Sequence, residues 1–198
     1  MILGSVSTVT LPRIAPAIPT LVEPFHRDGW VYEEKIDGWR IVAYKRRADV
    51  QLISRTGRDH TARFADIARA IAKLSPRTLI LDGEVAVFDE RLVSRFDLLG
   101  ESSAPELATP PIFMAFDCLY RDGRDLRPLP LGERRRVLER IVAGDLVLPV
   151  RRLPAGGVEA WAEVQRRGYE GMVAKDESAA AVHPAHGSRS RCDMKACF

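Results

Sequence analysis

The segment Tyr32-Glu33-Glu34-Lys35-Ile36-Asp37-Gly38-Trp39-Arg40 brings a lysine, an arginine and three acids together within nine residues. Lys35 lies between two runs of β-type residues, and Asp37-Gly38 predicts a tight turn directly after it. An amine held at a turn beside a second cation, here Arg40, is a candidate nucleophile, because a nearby positive charge favours the neutral, reactive amine. The alternative is a hairpin turn with solvated charges, and this segment alone leaves both interpretations open.

The rest of the sequence has the composition of an ordinary folded protein. Its 198 residues include 30 Lys+Arg, 27 Asp+Glu and 46% hydrophobic residues, which is enough for one core at ~150 residues per domain. The net charge of +3 is too small to indicate nucleic-acid binding by itself, but it is compatible with such binding if the basic groups cluster. No apolar run approaches the ~20 residues that span a bilayer. Since the three cysteines form no disulfide framework, we expect a cytoplasmic protein without membrane contact.

Hydrophobic periodicity predicts an α+β domain with antiparallel sheets flanked by helices. The prolines between residues 11 and 29 predict an extended leader, residues 1–29, that packs on a domain of residues 30–198. Strands are expected at residues 30–32, 39–44, 50–54, 78–88, 112–120, 147–150 and 172–174, and helices at residues 63–74, 131–143 and 158–167.

Four further motifs follow the lysine segment in order along the chain. They are Ser54-Arg55-Thr56-Gly57-Arg58, Leu81-Asp82-Gly83-Glu84-Val85, Phe113-Met114-Ala115-Phe116-Asp117-Cys118-Leu119 and Glu170-Gly171-Met172-Val173-Ala174-Lys175. With the lysine segment they resemble the adenylation domain of ATP-dependent DNA ligases, especially the bacterial end-joining type, over residues 16–195. The resemblance implies the nucleotidyltransferase (ATP-grasp-like) fold of those ligases.

The resemblance also implies a mechanism. Lys35 would attack the α-phosphate of ATP, expel pyrophosphate and hold AMP as a phosphoramidate. AMP would then pass to the 5′-phosphate of a nick in broken double-stranded DNA, where the 3′-hydroxyl displaces it. Such phosphoryl transfer asks the protein mainly for positioning and charge neutralisation.

Further site residues take their roles from the same resemblance. Arg40 would steady Lys35 and the nucleotide, and Glu33 would accept from the adenine amino group through its backbone or side chain. Arg55 would reach the ribose or phosphate, and Phe116 would sandwich the adenine with Asp117 supporting it. Lys175 and Lys195 would grip the α-phosphate.

Two acids, Glu84 and Glu170, are the expected ligands for Mg²⁺ and the ribose. Mg²⁺ typically takes one or two protein carboxylates and completes its shell with phosphate oxygens and water. The alternative for each is a solvated acid at a strand end. Glu84 lies between apolar runs, where a carboxylate requires a partner.

The sequence departs from the ligase pattern in two ways. The last motif usually reads Trp-x-Lys-x-Lys, whereas here Asp193-Met194-Lys195-Ala196-Cys197 supplies only the first lysine, so we expect weakened self-adenylation. DNA ligases of this type continue into an OB-fold domain that clamps the duplex, and after Phe198 we expect none. Either a separate protein supplies the clamp, or the chain is a minimal, truncated or degenerate ligase.

Two other functions remain open. One is an RNA ligase or a capping-type guanylyltransferase, and the other is an inactive ligase-like module that binds DNA ends or a repair partner. Two weaker hypotheses are a metal site of His183, His186, Cys192 and Cys197, and a DNA-binding surface around Arg134-Arg135-Arg136, which is more typical of a solvated helix face.

Overall fold

A computed structural model describes residues 11–100, 107–142, 144–181 and 194–197. Its strands are β1 (Thr20–Leu21), β2 (Trp30–Glu34), β3 (Trp39–Arg46), β4 (Asp49–Ser54), β5 (Thr78–Ala86), β6 (Ile112–Arg121), β7 (Arg124–Asp125), β8 (Val147–Pro149), β9 (Met172–Asp176) and β10 (Met194–Cys197). Its helices are α1 (Ala65–Lys73), α2 (Leu131–Ile141) and α3 (Gly157–Arg167). No helix in these ranges is long and apolar enough to cross a bilayer.

The strands form two sheets. The first has the order β1-β10-β9-β2, and the second has the order β4-β3-β5-β6-β7, with β8 also paired to β6. Neighbouring strands are antiparallel except for β1 with β10 and β8 with β6. The α+β class predicted from the sequence is therefore confirmed.

The larger core lies on one face of the second sheet. Side chains alternate along β3, so Ile41 and Ala43 point into this core while Arg40, Val42 and Tyr44 point to the opposite face. Helix α1 contributes Ile67 and Ile71, spaced one helical turn apart, and α2 contributes further apolar residues. This division leaves the other face of the sheet for polar chemistry.

A second core lies between the first sheet and α3. Tyr32 of β2 and Ala174 of β9 pack there against Ala160 and Val164 of the helix. Helix α3 ends at Gly168, whose φ of 74° is the left-handed conformation that favours glycine. The chain can therefore turn at once and enter β9 two residues after Glu170.

The proline-rich leader contacts both sheets. Leu11 packs with residues of β3, β5 and β6 in a smaller apolar cluster. Further along, β1 pairs with β10, and Phe25 packs against the second core. Between these contacts, Pro16, Ala17, Ile18 and Pro19 form one wall of a cavity between the sheets.

Candidate active site

Lys35 directly follows β2, beside the start of β9. Its backbone N–H donates to the Gly171 carbonyl at 3.0 Å, which extends the β2–β9 pairing. The pairing brings the Lys35 ammonium into contact with the Glu170 carboxylate, and the two side chains keep 22% and 31% exposure. A candidate nucleophile and a candidate metal ligand thus meet at an accessible place.

Arg40, Asp82 and Glu84 come from the neighbouring strands β3 and β5 and project from the same sheet face. The guanidinium of Arg40 donates to both oxygens of Asp82, at 2.7 and 2.8 Å. Glu84 is the direct cross-strand partner of Arg40. Burial raises the pKa of Glu84 to about 8, while the cations Arg40 and Lys35 act in the opposite direction. A further cation at this place would favour the ionised carboxylate.

The turn after Lys35 requires a glycine at its second position. A Cβ on Gly38 would lie 2.3 Å from the Val85 carbonyl oxygen and 2.9 Å from Cγ of Glu84. The absence of a side chain lets β5 approach the turn, so the sequence Asp37-Gly38 places Glu84 near Lys35.

Phe116 lies at an irregularity of β6. Asp82 and Gly83 are consecutive on β5, but their partners on β6 are Asp117 and Ala115, which leaves Phe116 without a pairing partner. Such a bulge locally changes the direction in which a side chain points. It accounts for the position of Phe116 and Asp117 together at the small cavity next to Arg40.

The ring of Phe116 contacts two cations. The guanidinium carbon of Arg40 lies 4.3 Å from the ring centroid, and the ammonium nitrogen of Lys175 lies 4.6 Å from it. Both distances are within cation–π range. A purine stacked on this ring would replace one of these contacts.

Glu33 is buried between two cations. Arg135 of α2 donates to its Oε1 at 2.5 Å, and Lys175 of β9 donates to its Oε2 at 2.5 Å. Both carboxylate oxygens of Glu33 are therefore occupied, and its backbone pairs with Val173 of β9. The contact also holds the Lys175 ammonium beside the cavity.

The DNA-binding hypothesis for Arg134-Arg135-Arg136 is wrong for its first two residues. Arg134 is 3% exposed and Arg135 is 1% exposed. Arg134 donates to both oxygens of Asp117, at 2.8 and 2.7 Å, so it anchors the residue beside Phe116. Only Arg136 remains on the exposed side of α2.

The register of β10 corrects the expectation for Lys195. Met194 pairs with Lys175, and Lys195 pairs with Ala174, so the side chains of the two lysines point to opposite faces of the sheet. Met194, rather than Lys195, lines the cavity. Lys195 and Lys175 therefore do not lie side by side for one phosphate.

The same register corrects the interpretation of Cys197. It is fully buried, at 0% exposure, and belongs to the core under α3. A lysine there would not face the cavity. The positions on β10 that share a face with Lys175 are Met194 and Ala196, and neither carries a charge.

The remaining predicted residues surround one cavity of about 210 Å³. Seven of the predicted site residues line it, namely Glu33, Lys35, Arg40, Arg55, Glu84, Phe116 and Lys175. Glu170 adjoins this set through Lys35. Seven side chains from both sheets are thus brought together as the motif order predicted, together with the wall formed by the leader.

Three residues of the site were not identified from the sequence. Asp82 belongs to one of the motifs but was given no role. It lies two residues before Glu84 on a strand, and this spacing indicates that both side chains point to the same face. Arg135 was interpreted as a solvated charge. Glu34 is 3% exposed and precedes Lys35, and a carboxylate next to the candidate nucleophile was signal enough to consider it.

The donor chemistry of Glu84 and Glu170 fits Mg²⁺. Both are oxygen donors near Lys35, and Glu170 is close enough to contribute to the raised pKa of Glu84. Two carboxylates match the small protein share of a typical Mg²⁺ shell. Across residues 11–100, 107–142, 144–181 and 194–197 there is no cluster of three or more His, Cys, Asp or Glu suited to a metal. His183, His186 and Cys192 of the other metal hypothesis lie outside the described residues.

An accessible lysine, two nearby carboxylates and converging cations in a cavity between two sheets are the kinds of group that nucleotidyl transfer requires. A family model described as ATP dependent DNA ligase domain matches residues 10–190, and the chain belongs to this family. The ligase family and the nucleotidyltransferase fold predicted from the sequence are confirmed, and the family is described as ATP dependent.

The curated relatives point to bacterial end-joining ligases. The multifunctional non-homologous end joining protein LigD of Mycolicibacterium smegmatis is 33% identical over 163 residues, which cover 81% of this chain and 21% of that protein. LigD of Pseudomonas aeruginosa is 33% identical, with 82% of this chain and 20% of that protein covered. The chain spans about a fifth of the length of these relatives.

Solved structures give the same assignment. A mycobacterial DNA ligase D complexed with ATP and MES superposes with a TM-score of 0.76 at 28% identity, covering 92% of this chain and 59% of that one. The ligase domain of Mycobacterium tuberculosis LigD gives a TM-score of 0.76 at 29% identity, with 92% and 58% covered.

Proposed function

We propose that this chain performs the nucleotide-transfer steps of DNA ligation, with Lys35 as the covalent nucleophile. The observation that carries the proposal is the Lys35 amine at the mouth of a cavity in which Arg40, Arg55 and Lys175 supply positive charge. Glu170 contacts the amine and Glu84 lies nearby. This arrangement of one nucleophile among cations is what phosphoryl transfer requires.

In the first step, the Lys35 amine loses a proton and its nitrogen attacks the α-phosphorus of ATP. A P–N bond forms and the P–O bond to pyrophosphate breaks, so AMP stays on Lys35 as a phosphoramidate. Glu170 contacts the amine and orients it, and the proton passes to solvent, to which both side chains are partly exposed. Arg40 is held rigidly by Asp82, so it presents a fixed positive charge to the nucleotide.

Glu84 and Glu170 are the residues that would hold Mg²⁺. The metal supplies charge neutralisation to the phosphates when it is bound. Without it, burial keeps the pKa of Glu84 near 8, so at neutral pH this acid is mostly protonated.

In the second step, AMP passes from Lys35 to the 5′-phosphate at a nick or break in double-stranded DNA, and the 3′-hydroxyl then displaces it. The names of the relatives, which refer to end joining and DNA ligase, support this substrate. We further propose that a separate protein or domain clamps the duplex in the manner of an OB-fold. The proposed location is the cytoplasm, at the nucleoid in a bacterial cell.

One observation favours a second candidate function, an inactive ligase-like module that binds DNA ends or a repair partner. On the cavity face of β10 the residues are Met194 and Ala196, so this strand offers no cation to the transferring phosphate. Such a site would bind a nucleotide less well and transfer it more slowly.

Intact-mass measurement after incubation with Mg²⁺ and either ATP or GTP tests the proposal. We expect an added AMP with ATP and none on Lys35→Ala. A GMP adduct alone would move the assignment to a capping-type guanylyltransferase. The absence of an adduct with either nucleotide would leave the inactive module as the remaining candidate. If AMP is added, a comparison of the sealing of nicked DNA with the sealing of nicked RNA tests which nucleic acid is the substrate.

A further inference from the structure

A second cavity, of about 510 Å³, lies outside the nucleotide cavity. Its floor is the polar face of β3 and β4, where Tyr44 pairs with Gln51 and Arg46 pairs with Asp49. The leader forms its other side, and the Ile14 N–H donates to the Tyr44 hydroxyl at 2.9 Å. We call this cavity the leader groove.

The leader groove is positively charged. Three arginines from three different segments line it, namely Arg13 of the leader, Arg46 of β3 and Arg55 after β4, against one acid, Asp49. The groove therefore has a local charge of 3 − 1 = +2, compared with a net charge of +3 for the whole sequence. Among the described residues, no ion pair occupies any of these three arginines, and all three are exposed.

The groove adjoins the nucleotide cavity at one residue. Arg55 lines both cavities. Side chains alternate along β3, so Arg40 at the nucleotide cavity and Arg46 in the groove project from the same sheet face, six residues apart. At ~3.3 Å per residue this separation is about 20 Å, the length of a few nucleotides.

We propose that the leader groove binds the phosphodiester backbone of the DNA strand whose 5′-phosphate receives AMP. This inference rests on the proposed function, since it names the path by which that substrate approaches Lys35. Unpaired arginines suit phosphate because the guanidinium donates two parallel hydrogen bonds to its oxygens. The contacts carry no sequence information, so they position any DNA strand at the site.

The salt dependence of DNA binding tests the groove directly. The probe is a 5′-phosphorylated nicked DNA duplex, titrated into the 198-residue chain and into the Arg13→Ala/Arg46→Ala double variant at several salt concentrations. Two lost phosphate contacts should weaken binding by about tenfold or more and reduce the slope of log K against log salt by roughly 2. The matched control is Arg69→Ala/Arg140→Ala, which removes two exposed helix arginines outside the groove.

A single substitution that removes a negative charge is expected to have the opposite effect on DNA affinity. Asp49→Asn removes the one acid of the groove, so DNA affinity should rise while the control variants leave it unchanged. Lysyl-AMP formation, read by intact mass, should be the same in all of these variants. Unchanged DNA affinity and slope in the double variant would overturn the groove inference alone, whereas absent lysyl-AMP in the parent chain would overturn the proposed function.

Discussion

At the scale of single residues, Glu34 is a buried acid with an incomplete set of hydrogen-bond partners among the described residues. Its carboxyl is buried beside Lys35, its Oε1 has no hydrogen-bond partner among the described residues, and its Oε2 lies 3.3 Å from Arg151. Arg151 in turn donates to the Tyr169 hydroxyl. Burial raises the pKa of Glu34 to about 7, while Arg151 and Arg167 oppose the shift.

This raised pKa predicts a pH-dependent stability. The carboxyl titrates near 4.5 in the unfolded chain and near 7 in the folded one, so between these values the folded state binds more protons. The free energy of unfolding should therefore fall as pH rises from about 4.5 to 7, by up to about 3 kcal/mol from this group, and level off above. Urea denaturation of Glu34→Gln across this range should lack that part of the decline.

Glu159→Gln is the control for this titration, because it removes an exposed acid of α3. Its stability curve should run parallel to that of the parent. The comparison between variants isolates Glu34 from Glu84, whose raised pKa acts in the same direction. Parallel curves for the parent and Glu34→Gln would contradict the assignment.

Arg135 allows a second prediction at this scale. Removal of its guanidinium leaves the buried Glu33 with Lys175 alone, and breaking one side of a buried ion pair typically costs 3–5 kcal/mol. Arg135→Ala should therefore lose about 3 kcal/mol or more of unfolding free energy in urea denaturation. Its exposed neighbour supplies the control, since Arg136→Ala should change stability by less than about 0.5 kcal/mol. Similar losses in both variants would refute the role of Arg135.

At the scale of elements, the strands of five or more residues and the helices α1 to α3 follow from the sequence, because each has a periodic or continuous apolar pattern over enough residues. The two-residue strands β1 and β7 show no period. The buried side of α2 was missed because Arg134 and Arg135 look like a solvated face, and their acids, Asp117 and Glu33, lie 17 and 102 residues away. The residues next to Arg134 and Arg135 in the sequence therefore do not indicate these distant partners.

The same difference between local sequence and distant pairing applies to the candidate site. Five ordered motifs predicted the side chains that line the cavity, whereas the bulge that re-aims Phe116 depends on how β5 pairs with β6. The face of β10 likewise depends on pairing, and a shift of one residue exchanges its two faces. Position in the motif alone therefore assigned Lys195 to the wrong side.

The register of β10 gives a prediction that separates the two faces. Met194→Lys would place an ammonium beside Lys175 at the cavity, and one charge-assisted contact to phosphate should raise ATP affinity by about tenfold. Lys195→Met removes a cation from the opposite face and should leave ATP affinity within about twofold. Titration of ATP without added Mg²⁺ measures both. A loss of affinity in Lys195→Met with no gain in Met194→Lys would contradict the register.

At the scale of the whole molecule, the leader joins the two sheets around the cavity. It packs Leu11 against the second sheet, supplies the wall from Pro16 to Pro19, and adds β1 to the first sheet. The two larger cores do not include any residue from 11 to 21. Residues 11–21 of the leader therefore belong to the binding site more than to the larger cores, and the chain should fold without residues 1–21.

Deletion of residues 1–21 tests this division. The variant keeps both larger cores, so its far-ultraviolet circular dichroism should remain that of a folded α+β protein, with a midpoint of thermal unfolding only modestly lower. It loses one wall of the nucleotide cavity and one side of the leader groove together, so ATP affinity and DNA affinity should each fall by about tenfold. Deletion of residues 1–10 is the matched control, because it retains Leu11 and every leader contact named above. A folded long deletion that binds ATP and DNA like the short one would show that the leader is not part of either site.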